Sequence, residues 1–308
     1  LNGQYWGHMN LRERVDRFFI AQFEGLPLDQ ADEMDILEAN GSVNFGSNKA
    51  YRAMLKKIKA GSPATNPDDL QYILDNVDVD NLFEYMALEM FVGNSDIGNI
   101  RYYRLHQEGS KWKWIWYDAD YGLYSSKFNS PWSYLKVKGM GEQKIDNTIF
   151  LKLLEHPDYK RKFLEKLADV YKTFTTEYMT QVLDGVVAEI QPEMKNHWER
   201  WGELNDKAVT SEVPTTIDGA YTYWESRVNR LYNTLKVRPH RLWDFIKDEF
   251  KLTKTEMEEL FGAYPDAVAN TQRIADRCQM EFTFGKYHLP EFRLPPGVDS
   301  PTYLRQLC

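Results

Sequence analysis

Apolar residues recur at intervals of three and four through most of the chain and alternate in one short stretch, and that change of period separates the predicted elements. The run "DVDNLFEYMALEMFVGN" predicts a helix capped near Asp80 and stopped at Gly93, with Leu82, Phe83, Met86, Ala87 and Met90 facing inward. "NKAYRAMLKKIKAG" predicts an amphipathic helix ended by Gly61, its lysines on a solvated face. "RERVDRFFIAQF" also turns helical. From Thr148 to about Trp201 nearly every segment carries helical spacing, including "HPDYKRKFLEKLADVYKTF" and "TEYMTQVLDGVVAEIQPEMKNHWERW". A polar loop, "GELNDKAVTSEVPTTIDG", then precedes a last helix pair beginning near Ala220.

Strand signals are fewer. "IRYYRL" from Ile100 to Leu105, the turn "HQEGS" and "KWKWIWY" from Lys111 to Tyr117 predict a hairpin whose Trp112, Trp114 and Trp116 share one core-facing side. "DILEANGSVNFGSN" reads as strand, Asn-Gly turn and loop. The opening "LNGQYWGHMNL" has another Asn-Gly turn and a strand-like run from Gln4 to Leu11. Its partner strand should precede Asn2, so the expectation is an N-terminally truncated domain.

Composition narrows the classes. With 308 residues, 43% of them hydrophobic, the chain can bury one large core or two modest ones. A net charge of −8 gives no electrostatic reason to expect general binding to nucleic acid or to an anionic membrane. No apolar run approaches the roughly 20 residues that span a bilayer. The two cysteines, Cys278 and Cys308, allow neither a disulfide framework nor a cysteine zinc site, and the histidines are scattered.

The chemistry-bearing positions lie at the open ends of the predicted hairpin. In "NSDIGNIRYYR" Asp96 and Asn99 stand just before its first strand, and in "WIWYDADYG" Asp118 and Asp120 follow its second. Neighbouring antiparallel strands lie about 4.8 Å apart, so these four side chains approach one another. Clustered acids repel unless a cation joins them, and hard oxygen donors suit Mg²⁺ or Mn²⁺. An Asp, a nearby Asn, a hairpin and a further Asp is the layout of a protein-kinase catalytic loop and the strand pair after it, although the Asp to Asn gap here is three. The other reading of these residues is that they only shape turns and cap loops.

Six stretches taken in order resemble the CotH kinases, a family named for spore coat protein H. They are "NGQYWGHMNLRERVD", "DILEANGSVNFGS", "GNSDIGNIRYYR", "KWKWIWYDADYG", the helical region through "HWERW", and "RPHRLWDFIKDEFKLT". The resemblance implies an α+β, atypical protein-kinase-like fold over 1–253, with a truncated small lobe and a mostly helical large lobe that contains the catalytic hairpin. It implies an ATP- and Mg²⁺-dependent protein serine kinase, whose partners are ATP and a serine-containing protein. Carried over by position, Asp96 is the catalytic aspartate and Asp118 the principal metal ligand. Asn99 and Asp120 complete the metal shell, and Glu13 lies beside the adenine. Glu13 could equally pair with a neighbouring arginine on the surface. The family places further strands and a phosphate-contacting lysine ahead of the Asn-Gly hairpin, and no Gly-x-Gly-x-x-Gly or Walker sequence replaces them here.

Beyond Lys254 the text changes. "NTQRIADRC", "FGKYHLPEF" and "YLRQLC" resemble a segment of the bacterial DNA polymerase III α subunit. That gives a second expected region, 254–308, with a helix from Ala263 to Cys278 and then an extended proline-rich stretch. Three readings therefore stand: a CotH-type kinase, a non-catalytic binding or structural module, and a replication protein acting through its tail.

Overall fold

A computed structural model describes residues 5–9, 12–136, 145–208 and 216–262. The chain divides into two compact units, Leu1–Val268 and Ala269–Cys308, and all the described residues belong to the first. Asn2 and Gly3, the helix expected over 263–278 and both cysteines lie outside the described residues.

The first unit is α+β, mostly helical around one small antiparallel sheet. Strands β1 (Met34–Glu38), β2 (Ser42–Phe45), β3 (Arg101–Leu105) and β4 (Lys113–Ile115) run in the order β2-β1-β3-β4. The second half of "DILEANGSVNF", expected as loop, is β2. It folds back through Asn40-Gly41, with Ala39 at φ 48 and Gly41 at φ 89. Alternation along β1 and β3 then divides their side chains between two faces. Leu37 and Tyr102 join Trp112 and Trp114 in the main core, while Met34, Ile36, Tyr103 and Leu105 cover Ile20 and Ala21 of α1 (Arg17–Phe23).

Helix α2 (Lys49–Ala60) buries Tyr51, Met54 and Ile58, ends at Gly61 and keeps its lysines exposed, as its spacing predicts. Helix α3 (Pro67–Asn76) leads into α4 (Val79–Val92), around which the main core is built. The α4 N-cap is Asp78, two residues earlier than expected; its side chain accepts the Asn81 N–H, and the other end stops at Gly93 in the left-handed region, φ 65. All five residues predicted to face inward are buried, and Phe83 makes edge contacts with Phe150 and Phe163 of the helices that follow.

The helical half comprises α5 (Ser130–Tyr134), α6 (Thr148–Leu154), α7 (Pro157–Thr173), α8 (Thr176–Ile190), α9 (Met194–Ala208), α10 (Ile217–Phe250) and α11 (Lys254–Phe261). Helix α10 is one 34-residue element despite Pro239 inside it. Proline has no N–H for the carbonyl four residues earlier, which is that of Leu235. The Thr176 hydroxyl donates to that oxygen at 3.4 Å, and the Pro239 carbonyl accepts from Tyr171 Oη at 3.0 Å. Helix α11 packs on the main core through Met257 and Phe261.

Further expectations change: the polar loop expected from Gly202 is helical as far as Ala208, the end of α9. Residues 5–9 form no strand; they lie against α9, where Trp201 Nε1 donates to the Trp6 carbonyl at 2.8 Å and the His8 N–H donates to His197 Nδ1 at 3.1 Å. Trp112 and Trp114 are buried, but Trp116 is 42% exposed. The ladder ends at Ile115, so the strict alternation that sets side-chain faces ends there too.

Candidate functional site

The register of β3 on β4 pairs Arg101 with Ile115 and Tyr102 with Trp114, which carries the two acid-bearing loops to one edge of the sheet. There Asn99 links them. Its backbone N–H donates to the Asp96 carbonyl at 3.2 Å, and its side-chain amide donates to Asp118 Oδ2 at 2.5 Å. Asn99 Oδ1 accepts from the Tyr117 hydroxyl at 2.7 Å. The Tyr117 phenol is pushed above its usual range, first by burial, opposed by the Arg101 cation and supported by the negative charges of Glu38, Asp118 and Asp96.

Asp118 has φ 53, a left-handed conformation that costs most residues about 1–2 kcal/mol and that Asp tolerates better than most. The turn points its carboxylate at Asn99 and sends the chain toward Asp120. Leu123 follows at φ 56, and its N–H donates to the Val92 carbonyl at 2.6 Å, tying the loop back to the end of α4.

Segment 12–15 reaches this edge through Arg101. The guanidinium donates to the Val15 carbonyl at 2.5 Å and to Glu38 Oε2 at 3.2 Å, and it lies 4.9 Å from the Tyr117 ring centre. A cavity of about 560 Å³ results, lined by Arg12, Glu13, Val15, Arg101, Tyr117, Asp118, Ala119 and Asp120. Glu13, Asp118 and Asp120 are exposed, whereas Asp96 and Asn99 are half-buried. Three of the five residues singled out from the sequence thus line one cavity; Asn99 hydrogen-bonds to Asp118 in its wall, and Asp96 is tied to Asn99 through its backbone carbonyl and is not among the lining residues. Among the described residues no three His, Cys, Asp or Glu side chains group closely enough to form a ready-made metal cage.

No local pattern of spacing in the sequence marks the residues that support the site. Arg101 and Tyr117 read as ordinary strand residues, although Arg101 opens a strand beside a candidate acidic loop. Glu89, 1% exposed, falls on the buried side of α4. Its signal is a lone acid in "YMALEMFV", three residues after the inward-facing Met86. Arg238, also 1% exposed, belongs to the "RPH" of the closing helix. Its guanidinium donates to the carbonyls of Met90 and Phe91 at 2.9 Å each, Phe128 at 2.9 Å and Ser125 at 3.3 Å, and to Ser130 Oγ at 2.7 Å. It joins the end of α4, just before Asp96, to the segment that follows Asp120. Burial lowers its pKa to about 10.

The family model described as CotH kinase protein matches residues 1–242. The chain belongs to the CotH kinase family. It is also similar over short stretches to DNA polymerase III subunit alpha. Identity is 52% over 56 residues with the protein of Halalkalibacterium halodurans, covering 18% of this chain and 5% of that one. With that of Pseudomonas aeruginosa it is 40% over 67 residues, 22% and 6% of the respective chains. The chain therefore spans only about a twentieth of the length of these curated relatives. No solved structure matches it.

Proposed function

We propose that this CotH family member is an ATP- and Mg²⁺-dependent protein serine kinase with an atypical kinase-like fold, and that the cavity between segment 12–15 and the end of the hairpin receives the nucleotide. The observation that carries this reading is the meeting of Glu13, Asp118 and Asp120 in one cavity, with Asn99 joining the Asp96 loop to Asp118.

The donor set fits a magnesium ion. Mg²⁺ is usually held by one or two carboxylates, with water and phosphate oxygens filling the remaining positions, rather than by an all-protein cage. Asp118 and Asp120 supply the carboxylates, and the ion's role when bound is to neutralise charge on the β- and γ-phosphates. Asn99 uses both ends of its amide on Tyr117 and Asp118, which favours a clamp on the Asp118 carboxylate over a ligand role. Arg12 and Arg101 add positive charge to the cavity wall.

Asp96 accepts the proton of the serine hydroxyl as its oxygen attacks the γ-phosphorus. The bond from that phosphorus to the bridging oxygen breaks and ADP leaves. Such a transfer asks of the protein mainly positioning and charge stabilisation, which a few fixed groups supply. The region up to about residue 253 acts as the kinase domain, and the polymerase-like segment after it takes no part in the transfer.

The test measures MgATP binding by calorimetry and phosphoryl transfer to a serine-rich protein with ³²P-labelled ATP, for the full chain and for Asp118→Ala and Asp96→Asn. The expected result is binding that requires Mg²⁺ and is lost in Asp118→Ala, with Asp96→Asn binding normally but transferring at least about 100-fold more slowly, in the range that general-base catalysis contributes. Equal MgATP binding by wild type and Asp118→Ala would remove the kinase reading and leave a non-catalytic module.

A further inference from the structure

We propose that Glu89 is a positioning residue for the loop that carries Asp96, acting through Tyr134 and Asn94; this rests on the kinase reading of Asp96.

A carboxylate inside an apolar helix is costly unless its oxygens are occupied. Glu89 is 1% exposed, and among the described residues no cation pairs with it. Four neutral side chains surround it instead: Tyr85 from its own helix, Tyr134 from α5, Asn94 from the loop after α4 and Trp116 from the end of the hairpin. Burial outweighs these hydrogen bonds and pushes the carboxyl up to about 7.

The arrangement runs directly to Asp96. Tyr134 Oη lies 2.8 Å from Glu89 Oε2 and 3.1 Å from the Asn94 carbonyl, so one hydroxyl joins the buried acid to the loop backbone. The Asn94 side chain has two ends. Its amide is held by Glu89, while its Oδ1 accepts the Asp96 N–H at 3.1 Å. The Asn94 backbone N–H is held as well, donating to the Glu89 carbonyl at 3.2 Å. Asn94 is 1% exposed. Glu89 therefore grips the residue that fixes the Asp96 amide from its backbone, its side chain and the neighbouring phenol. Helix capping alone requires none of the side-chain bonds, because Gly93 in the left-handed conformation already ends α4. The charges bearing on this cluster include Asp96 itself, whose negative charge raises the Tyr134 phenol pKa together with that of Glu89.

The test uses the full chain with Tyr134→Phe, Glu89→Gln and the double variant. Amide hydrogen exchange of residues 93–99 and steady-state transfer kinetics are read on each. Tyr134→Phe removes one hydroxyl and keeps the ring, so it decides the matter if Glu89→Gln does not fold. The expected result is exchange at 93–99 at least tenfold faster with α7 unchanged. A tenfold or greater fall in kcat should accompany it, with KM for MgATP within threefold, and the double variant should be no worse than the poorer single one. If wild type transfers no phosphoryl group, the kinase reading fails on its own and the exchange measurement still decides whether the network holds the loop. Unchanged exchange at 93–99, or a uniform rise across the chain, overturns the positioning role.

Discussion

Replacing Arg238 with methionine tests whether one buried cation holds the two halves of the site together. The substitution keeps most of the side-chain volume, so what it removes is a set of hydrogen bonds rather than packing. Five acceptors lose a donor, but not equally. Met90 O still accepts from Ser130 Oγ at 2.5 Å, Phe128 O from the Ser130 N–H at 3.0 Å and Ser125 O from the Phe128 N–H at 3.4 Å. Phe91 O has no such second bond among those described, and it sits at the C-terminal end of α4, where unpaired carbonyls concentrate negative potential. An unsatisfied buried acceptor costs about 1–3 kcal/mol, and each further lost bond about 0.5–1.5 kcal/mol. Releasing a buried guanidinium from its desolvation penalty offsets part of that sum. The expected loss is about 3–5 kcal/mol, a large share of the roughly 5–15 kcal/mol that holds a typical domain folded.

Urea unfolding followed by far-UV circular dichroism measures the loss, provided the m-value is unchanged. Arg238→Lys should recover less than half of it, because one ammonium cannot match the spread of acceptors that a planar guanidinium reaches. A loss under about 1 kcal/mol for Arg238→Met would refute the reasoning, since it would mean that the guanidinium's own desolvation cancels everything it donates.

Other outcomes follow from the same geometry. Gly93→Ala should cost at least about 2 kcal/mol in the same assay, because a β-carbon there is strained at φ 65 and would stand 2.4 Å from the Arg238 guanidinium. Glu89 has its folded-state pKa raised to about 7 from the ordinary carboxyl value of 4.5, so the folded protein holds the proton more tightly. Its contribution is complete below pH 4.5 and is lost as pH rises through 7, by up to about 3 kcal/mol at 1.36 kcal/mol per pKa unit; stability of wild type relative to Glu89→Gln, followed by urea titration from pH 4.5 to 8, should fall over that window, and a flat difference would count against it. Thr176→Val should cost about 1 kcal/mol by leaving the Leu235 carbonyl without the donor that Pro239 cannot supply. Gly7→Val places a β-carbon 2.5 Å from Trp201 Nε1 at φ 89, so it should lift the opening segment from α9 and speed tryptic cleavage at Arg12 and Arg14.

The parts of the fold that the sequence disclosed are those set by local period and local capping. Helix α4 was legible because five apolar positions at helical spacing and a terminal glycine are sufficient signals, and the shift of its cap to Asp78 changes only its first turn. The hairpin was legible because alternation and a turn set its register, and register alone carries Asn99 to Asp118. Trp116 escaped the pattern where the ladder stopped. Residues 5–9 escaped it because an Asn-Gly signal and an extended run do not say what the chain packs on. Here they meet tryptophan and histidine side chains of α9, nearly two hundred residues away.

The supports of the site were illegible for a different reason. Glu89, Arg101 and Arg238 each act on backbone oxygens or on residues from distant elements, and no spacing rule points to such partners. Each nevertheless leaves one mark in the sequence: a charge placed where its neighbours are apolar. A lone acid in "ALEMFV" and an arginine set between Val237 and a mid-helix proline are expensive to bury, so each raises the question of what satisfies it. The answer in both cases is the last turn of α4 and the loop after it. Glu89 holds the Asn94 side chain, Arg238 holds the Met90 and Phe91 carbonyls, and Val92 O accepts from Leu123 beyond Asp120. The two acid-bearing loops are thus joined at the sheet edge by Asn99 and again, deeper in the core, at the end of α4. A change to either buried charge should therefore be felt by both loops together, whereas a change to Asn99 should loosen only their outer contact.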